Sequence, residues 1–238
     1  FKDTMYQTSS TSSGGKQEAS GNATIGGANP AQYGYGSLTG SIATDFTSST
    51  PSYVGGFNAS INGSGFFVTS ASNKEVTLDP ANTKTTTAEM KKNNFAYTRV
   101  GQFSVDANGY IVDANHNFVY GFQPDSLTEP TKYGDGGKKL VALRAPAADN
   151  TGAVALTGSP VFTGFAAQLK SVEIGADGIV KGIIDNKTPG TGGAPAQVTS
   201  TSIVLGKVAV ASFQNQEGLT KAGNNTFNAG VGDNTGYI

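Results

Sequence analysis

The chain has no cysteine and no tryptophan, and only 14% of its residues are charged. Without cysteine there is no disulfide, no thiol nucleophile and no thiolate-bound metal. Without tryptophan, tyrosine and phenylalanine must supply the large apolar surfaces. No apolar run reaches the ~18 residues that a membrane-spanning helix needs. A formal net charge of −1 leaves no broad field to draw in nucleic acid or an anionic membrane surface. Glycine, by contrast, is abundant at 33 of 238 residues, and with plentiful Ser, Thr and Asn it favours many turns over long helices. The length suffices for a substantial core, in one large β domain or two small ones.

The most ordered pattern is Tyr97–Phe122, YTRVGQFSVDANGYIVDANHNFVYGF. Gln102–Val105 reads as a strand, since Phe103 and Val105 alternate with polar neighbours. Asp106-Ala-Asn-Gly109 is a turn whose Asn-Gly pair tolerates the positive φ of a tight hairpin. Tyr110–Val112 runs back, Asp113–Asn117 turns again, and Phe118, Tyr120 and Phe122 share one face of a third strand. The segment spells a β-meander.

Around it the organisation is coarser. Phe1 and Met5, four apart, fit the tail of an entering helix. Thr8–Pro30 is Ser/Gly-rich and reads as an extended, compliant linker. Residues 1–30 are therefore expected to be a helix end plus linker, and residues 31–238 a single β-rich core. In Tyr33–Phe46, Leu38, Ile42 and Phe46 recur at helical spacing. Three interspersed glycines, at 34, 36 and 40, would each cost a helix about 1 kcal/mol, which favours a bent strand. Phe57–Thr69 reads as strand, Asn-Gly turn, strand. Residues 70–94 and 123–165 read as surface insertions, the first with TTTAEMKK forming one or two helical turns. Ser171–Ile184 is a hairpin about Asp177-Gly178. Ile203–Phe213 is the strongest single strand, with Val204, Val208 and Val210 on one parity. The fold class is all-β: a compact irregular domain of hairpins and a meander, behind a long extended N-terminal segment, with no long helix.

Chemistry-bearing motifs are scarce. Asp113, Asn115 and Asn117 mimic positions 1, 3 and 5 of a calcium loop, but Phe118 and Pro124 stand where that loop needs glycine and glutamate. Asp135-Gly136 and Asp177-Gly178 read as turns. His116, the one histidine, sits in a polar turn. No serine lies in a GxSxG elbow, and neither Gly34-Tyr-Gly36 nor Gly63-Ser-Gly65 continues as a phosphate loop. Asn22, Asn58, Asn62, Asn186 and Asn224 begin N-x-Ser/Thr triplets that chance alone supplies in such a composition. The aromatics Tyr97, Phe103, Tyr110, Phe118, Tyr120 and Phe122 fit a core better than a sugar-stacking platform. The sequence predicts no catalytic, cofactor-binding or metal-binding residue.

Asn62-Gly-Ser-Gly-Phe-Phe67 followed by the Tyr97–Val112 run closely resembles the shared core of the bacterial flagellar hook and rod axial proteins. Ser171–Val180 resembles that family's strand–Asp-Gly–strand element. Leu205–Phe213, with Glu217-Gly-Leu219 and Gly223-Asn-Asn-Thr-Phe227, resembles its C-terminal block. The resemblance implies a non-enzymatic structural subunit that polymerises with copies of itself into a tube. It also implies rod and hook–filament junction proteins at the tube's ends, a cap during assembly, export through the flagellar secretion apparatus, and no nucleic-acid or membrane-spanning role. Tyr35–Phe46 and Ala211–Leu219 are more hook-like than rod-like; the distal rod protein is the alternative within the family. From another class, a carbohydrate-binding or adhesive module would expose aromatics such as Tyr53 or Tyr133. A hydrolase would gather acids or His116 in a cleft. The resemblance further implies a core fragment without terminal helices, and a compact outer region between Gln123 and Lys170.

Overall fold

The computed structural model describes residues 2–3, 6–10, 12–14, 16–17, 23–34, 37–38, 57–79, 83–129, 132–133, 137–150, 152–188, 197–229 and 236–238. Expectations that fall on Phe1, Met5, Asn22, Ile42, Phe46, Tyr53, Asp135 and Gly136 lie outside these. The chain divides into two compact units, Phe1–Asp45 and Phe46–Ile238.

In the smaller unit, β1 (Lys2–Asp3), β2 (Tyr6–Ser10), β3 (Lys16–Gln17), β4 (Ala23–Ile25), β5 (Ala31–Gly34) and β6 (Ser37–Leu38) pair from the outside in. β1 lies antiparallel to β6, β2 to β5 and β3 to β4, with Ser13 bridged to Ala28 between the inner pairs. This nested ladder pairs stretches expected to be linker, and residues 31–34 belong to the smaller unit. The reason is general: ladder bonds join backbone groups, so a Ser/Thr-rich segment pairs without apolar side chains.

The larger unit is all-β as expected. Among the described residues its strands are β7 (Phe66–Ser70), β8 (Val76–Thr77), β9 (Ala96–Thr98), β10 (Phe103–Val105), β11 (Ile111–Asp113), β12 (Phe118–Phe122) and β13 (Lys139–Ala142), and a ten-residue helix, α1 (Thr83–Lys92), precedes β9. β14 (Leu169–Ile174), β15 (Ile179–Thr188), β16 (Gln197–Val208), β17 (Val210–Phe213), β18 (Thr220–Gly223), β19 (Thr226–Asn228) and β20 (Gly236–Tyr237) complete it. β10, β11 and β12 form the predicted meander. β16 and β17 act as a spine, pairing in turn with β15, β12, β7 and β20.

β7 is buried along its whole length, and this builds two cores. Its alternate residues point to opposite faces: Phe66 and Val68 enter one core with Tyr97, Tyr120 and Phe213, and Phe67 enters the other with Phe103, Val119 and Leu205. A strand covered on both faces reads as the continuous apolar run GFFV rather than as an alternation. The parity expected of the last strand holds only in part. Val204 and Val208 are buried, but Val210 is 40% exposed, because the strand changes neighbour from β12 to β7 at Ala209.

The two stretches expected to be surface insertions are parts of the cores. Val76, Leu78 and Met90 join the first core, and Leu127, Leu143 and Val154 the second. The Tyr120 hydroxyl shares its one proton between the Ser72 and Lys74 carbonyls, at 2.5 and 2.8 Å. Val76, Leu78, Met90 and Leu127 are scattered among polar neighbours and give little periodicity, whereas Lys139–Arg144, read as a strand or its margin, contains the strand Lys139–Ala142. α1 runs longer than the expected one or two turns. It carries Lys91 and Lys92 in its last turn, where the helix dipole favours cations, and is followed by Asn94 at φ 49°, a left-handed C-terminal cap.

Four turns share one frame: Asp106–Gly109, Asp113–His116, Asp149–Gly152 and Gly175–Gly178. In each, the fourth N–H donates to the first carbonyl at 2.9–3.0 Å, and the first N–H donates to the fifth carbonyl at 2.8–2.9 Å. The fourth residue is left-handed, with φ of 80°, 63°, 83° and 77° in that order. Asn108 is therefore not the positive-φ residue expected of a two-residue turn. That turn occurs instead at Asn224-Asn225, both left-handed, between β18 and β19. His116 occupies a position where the three sister turns use glycine, and its side chain is exposed. His116→Gly is expected to raise the unfolding free energy by about 1 kcal/mol, since a left-handed side chain costs roughly that much. A shift of the denaturant midpoint with an unchanged slope would check it.

Candidate functional site

Asp113 is buried, and its Oδ1 accepts the N–H groups of Asn115 (2.8 Å) and Asn117 (2.9 Å). The carboxylate is thus spent on its own turn, like that of Asp106, which accepts from Asn108 and Tyr110. Among the described residues no three His, Asp or Glu side chains gather as metal ligands. No helix among them is long and apolar enough to cross a membrane.

The aromatic set is packed, not displayed. Tyr97, Phe103 and Tyr120 are buried, while Tyr110, Phe118 and Phe122 lie against the first core. Edge-on ring pairs lock them: Tyr97 with Phe213 at 4.7 Å, Tyr120 with Phe95 at 5.0 Å and Tyr110 with Phe118 at 5.0 Å. The Tyr97 hydroxyl is buried and has no hydrogen-bond partner, and burial pushes its ionisation far above the usual tyrosine value of 10. Tyr120 is pushed up to about 12, first by burial and then by Tyr110.

Two consequences follow from those hydroxyls. Tyr97→Phe removes an unsatisfied buried group, and an increase in stability of about 1–2 kcal/mol is expected at neutral pH. Both tyrosines hold their proton more tightly folded than unfolded. Their contribution is complete below about pH 10 and falls as pH rises above it, to about 12 for Tyr120 and further for Tyr97, by up to ~1.4 kcal/mol per pH unit for each. Urea melts between about pH 9 and 11.5 should show this loss, and Tyr97→Phe should lessen its slope.

The motif residues between Tyr97 and Phe103 are structural as well. Arg99 Nε donates to the Gly65 carbonyl (3.1 Å) and Nη2 to that of Gly63 (2.9 Å), and its guanidinium lies 5.2 Å from the Phe66 ring centre. It ties the Asn62–Phe67 block to the Tyr97 block. Thr98 Oγ1 donates to the Asn225 carbonyl at 3.0 Å, which fixes the C-terminal hairpin to the same place.

Arg144 does the same on the other side of the meander. Its buried guanidinium donates to the carbonyls of Asn108 (2.9 Å), Gly164 (2.5 Å) and Phe162, and lies 5.2 Å from the Tyr110 ring centre. Sequence reasoning passed over this residue. A lone arginine after a strand carries no motif, and its acceptors are backbone groups that any residue type provides.

Two surface features remain. One is a cleft of about 1260 Å³ with an apolar floor of Phe67, Phe122, Val208 and Val210. Asp125, Asp177, Lys132 and Lys207 also line it, as does Tyr133, whose hydroxyl is buried without a partner. Burial, with Asp177 as a lesser cause, raises the Tyr133 ionisation. The second is the loop before β14, where Phe165 is 83% and Val161 57% exposed. Asp125 and Asp177 are the two carboxylates that line the cleft, and His116 is not among its lining residues.

Residues 87–182 match the family model described as flagellar hook protein FlgE/F/G D1 domain. A search of curated proteins finds no match.

Proposed function

We propose, from the premise that this chain is a protein of the flagellar hook and rod family, that it is the structural subunit of the hook. In that role it polymerises into the curved extracellular tube that carries torque from rod to filament. The observation that carries this reading is the D1-domain match across residues 87–182. That family is one of structural proteins of the bacterial flagellum. Within it, Tyr35–Phe46 and Ala211–Leu219 favour hook over distal rod.

The physical demand on such a subunit is mechanical. A tube that bends while it turns must shorten and lengthen along each side once per revolution. Stiff bodies that slide on polar, wetted contacts meet that demand at low cost, whereas fused apolar interfaces would resist it. The side chains described above serve stiffness: Arg99 and Arg144 tie separate segments, and the Asp turns hold the hairpins. Part of the described surface is uncharged and polar, as at Gln197, Thr199 and Ser200 of β16. The subunit would leave the cell through the flagellar secretion apparatus. It would meet copies of itself along the tube, rod and junction proteins at its ends, and a cap during assembly.

Immunogold labelling of isolated hook–basal bodies tests the assignment. Gold along the curved hook supports it, gold confined to the rod moves the chain to the distal rod, and no axial labelling sinks both.

A further inference from the structure

We propose that the loop carrying Val161 and Phe165 is a knob that seats in the cleft of a second copy of this chain. The proposal rests on the polymer reading above and names one contact of that polymer. Both surfaces belong to the unit Phe46–Ile238.

The knob is apolar and held rigidly. Single exposed apolar residues are ordinary on protein surfaces, but Phe165 at 83% exposure presents nearly its whole ring. Its loop is fixed at several points. Ala147 N–H donates to the Val161 carbonyl (2.7 Å), Ala148 N–H donates to the Phe165 carbonyl (2.8 Å), and Arg144 holds the carbonyls of Phe162 and Gly164. A side chain displayed on backbone already ordered loses little entropy when it binds.

The cleft fits such a knob in polarity. Residues 159–165, SPVFTGF, carry no charge. Two acids, Asp125 and Asp177, offset two lysines, Lys132 and Lys207, around an apolar floor on which Val210 is 40% exposed. A charged segment would face two like charges there, and a neutral one faces none in excess. The knob and the cleft are different surfaces, so the contact is head-to-tail. Each copy that uses its knob keeps a free cleft, which gives an open polymer rather than a closed dimer.

The absence of cysteine makes the test clean. Thr163→Cys, which leaves Phe165 in place, and Val210→Cys are prepared separately, mixed at millimolar concentration and treated with a short bismaleimide; Ser60→Cys serves as a second cleft position. Mixed dimers in clear excess over either variant alone, and a ladder from the double variant, are expected. Phe165→Ser should weaken self-association about 10- to 100-fold, the worth of one buried phenylalanine ring. A Thr163→Cys variant that cross-links mainly to itself, or no mixed product with either cleft position, overturns the proposal. Gold on the hook without mixed cross-links sinks this contact alone. Mixed cross-links without axial gold sink the hook reading alone.

Discussion

Replacing Gly101 by alanine is expected to lower the unfolding free energy by about 3–5 kcal/mol, a large part of the ~5–15 kcal/mol that holds a domain together. A Cβ at this position would lie 1.7 Å from the Ala59 carbonyl oxygen and 2.6 Å from its carbon. These are backbone atoms, so no rotamer change relieves the clash. The close approach exists because Asn58 bridges to Gln102. Ala59 N–H donates to the Gly101 carbonyl at 2.8 Å, and Phe103 N–H donates to the Phe57 carbonyl at 3.1 Å. Pushing the strands apart weakens both bonds, at roughly 1 kcal/mol each, on top of about 1–3 kcal/mol for overpacking. The disturbance would also reach Phe67, whose ring sits edge-on to Phe103 at 5.1 Å. Equilibrium urea unfolding measures the cost; a Gly101→Ala protein within about 0.5 kcal/mol of the parent would show that the approach is not tight in solution.

The same residue shows what the sequence made legible. Tyr97–Phe122 announced a meander because alternation and turn residues are local signals, and β10–β12 follow it. What it did not disclose is why its unusual positions are occupied. Gly101 is set by Ala59, Arg99 by the carbonyls of Gly63 and Gly65, and Thr98 by Asn225, all distant in sequence. The calcium-like triplet at Asp113, Asn115 and Asn117 is the turn former that loop spacing pointed to, and the shared frame with Asp106–Gly109 shows how. The regions read as insertions failed for the opposite reason. Val76, Leu78, Met90 and Leu127 are scattered among polar residues, and the cores they enter are assembled from segments distant in sequence. The N-terminal ladder was missed because backbone pairing leaves little trace in a run of Ser, Thr and Gly. Of the candidate interface, exposed Phe165 was not singled out. In sequence it is one more phenylalanine, and its exposure depends on Arg144 holding the loop.

Arg144→Ala is expected to cost about 3–5 kcal/mol, and its effect should be uneven across the molecule. The guanidinium serves three carbonyls from two separate segments, Asn108 in the meander turn and Phe162 and Gly164 in the loop before β14, and it packs against Tyr110. Truncation removes a charge-assisted donor from all three at once, at about 1.5–3 kcal/mol for such bonds taken singly and less when summed. Arg144→Lys separates charge from shape. An ammonium is a compact donor on a flexible stem and cannot fork to three diverging acceptors, so lysine should recover well under half of the loss. If charge alone mattered, Lys would match Arg. Amide exchange locates the damage: the N–H groups of Ala147, Ala148 and Ala167, bonded to Val161, Phe165 and Pro146, should exchange faster in both variants. Those of the β15–β16 hairpin, which no Arg144 bond reaches, should change only by the global loss of stability. Uniform acceleration across the unit would mean that Arg144 supports the core in general. Acceleration confined to residues 145–167 would mean that it stiffens the one loop that displays Phe165. In that case Arg144→Lys should also weaken the knob-to-cleft cross-link, although the phenylalanine itself is untouched.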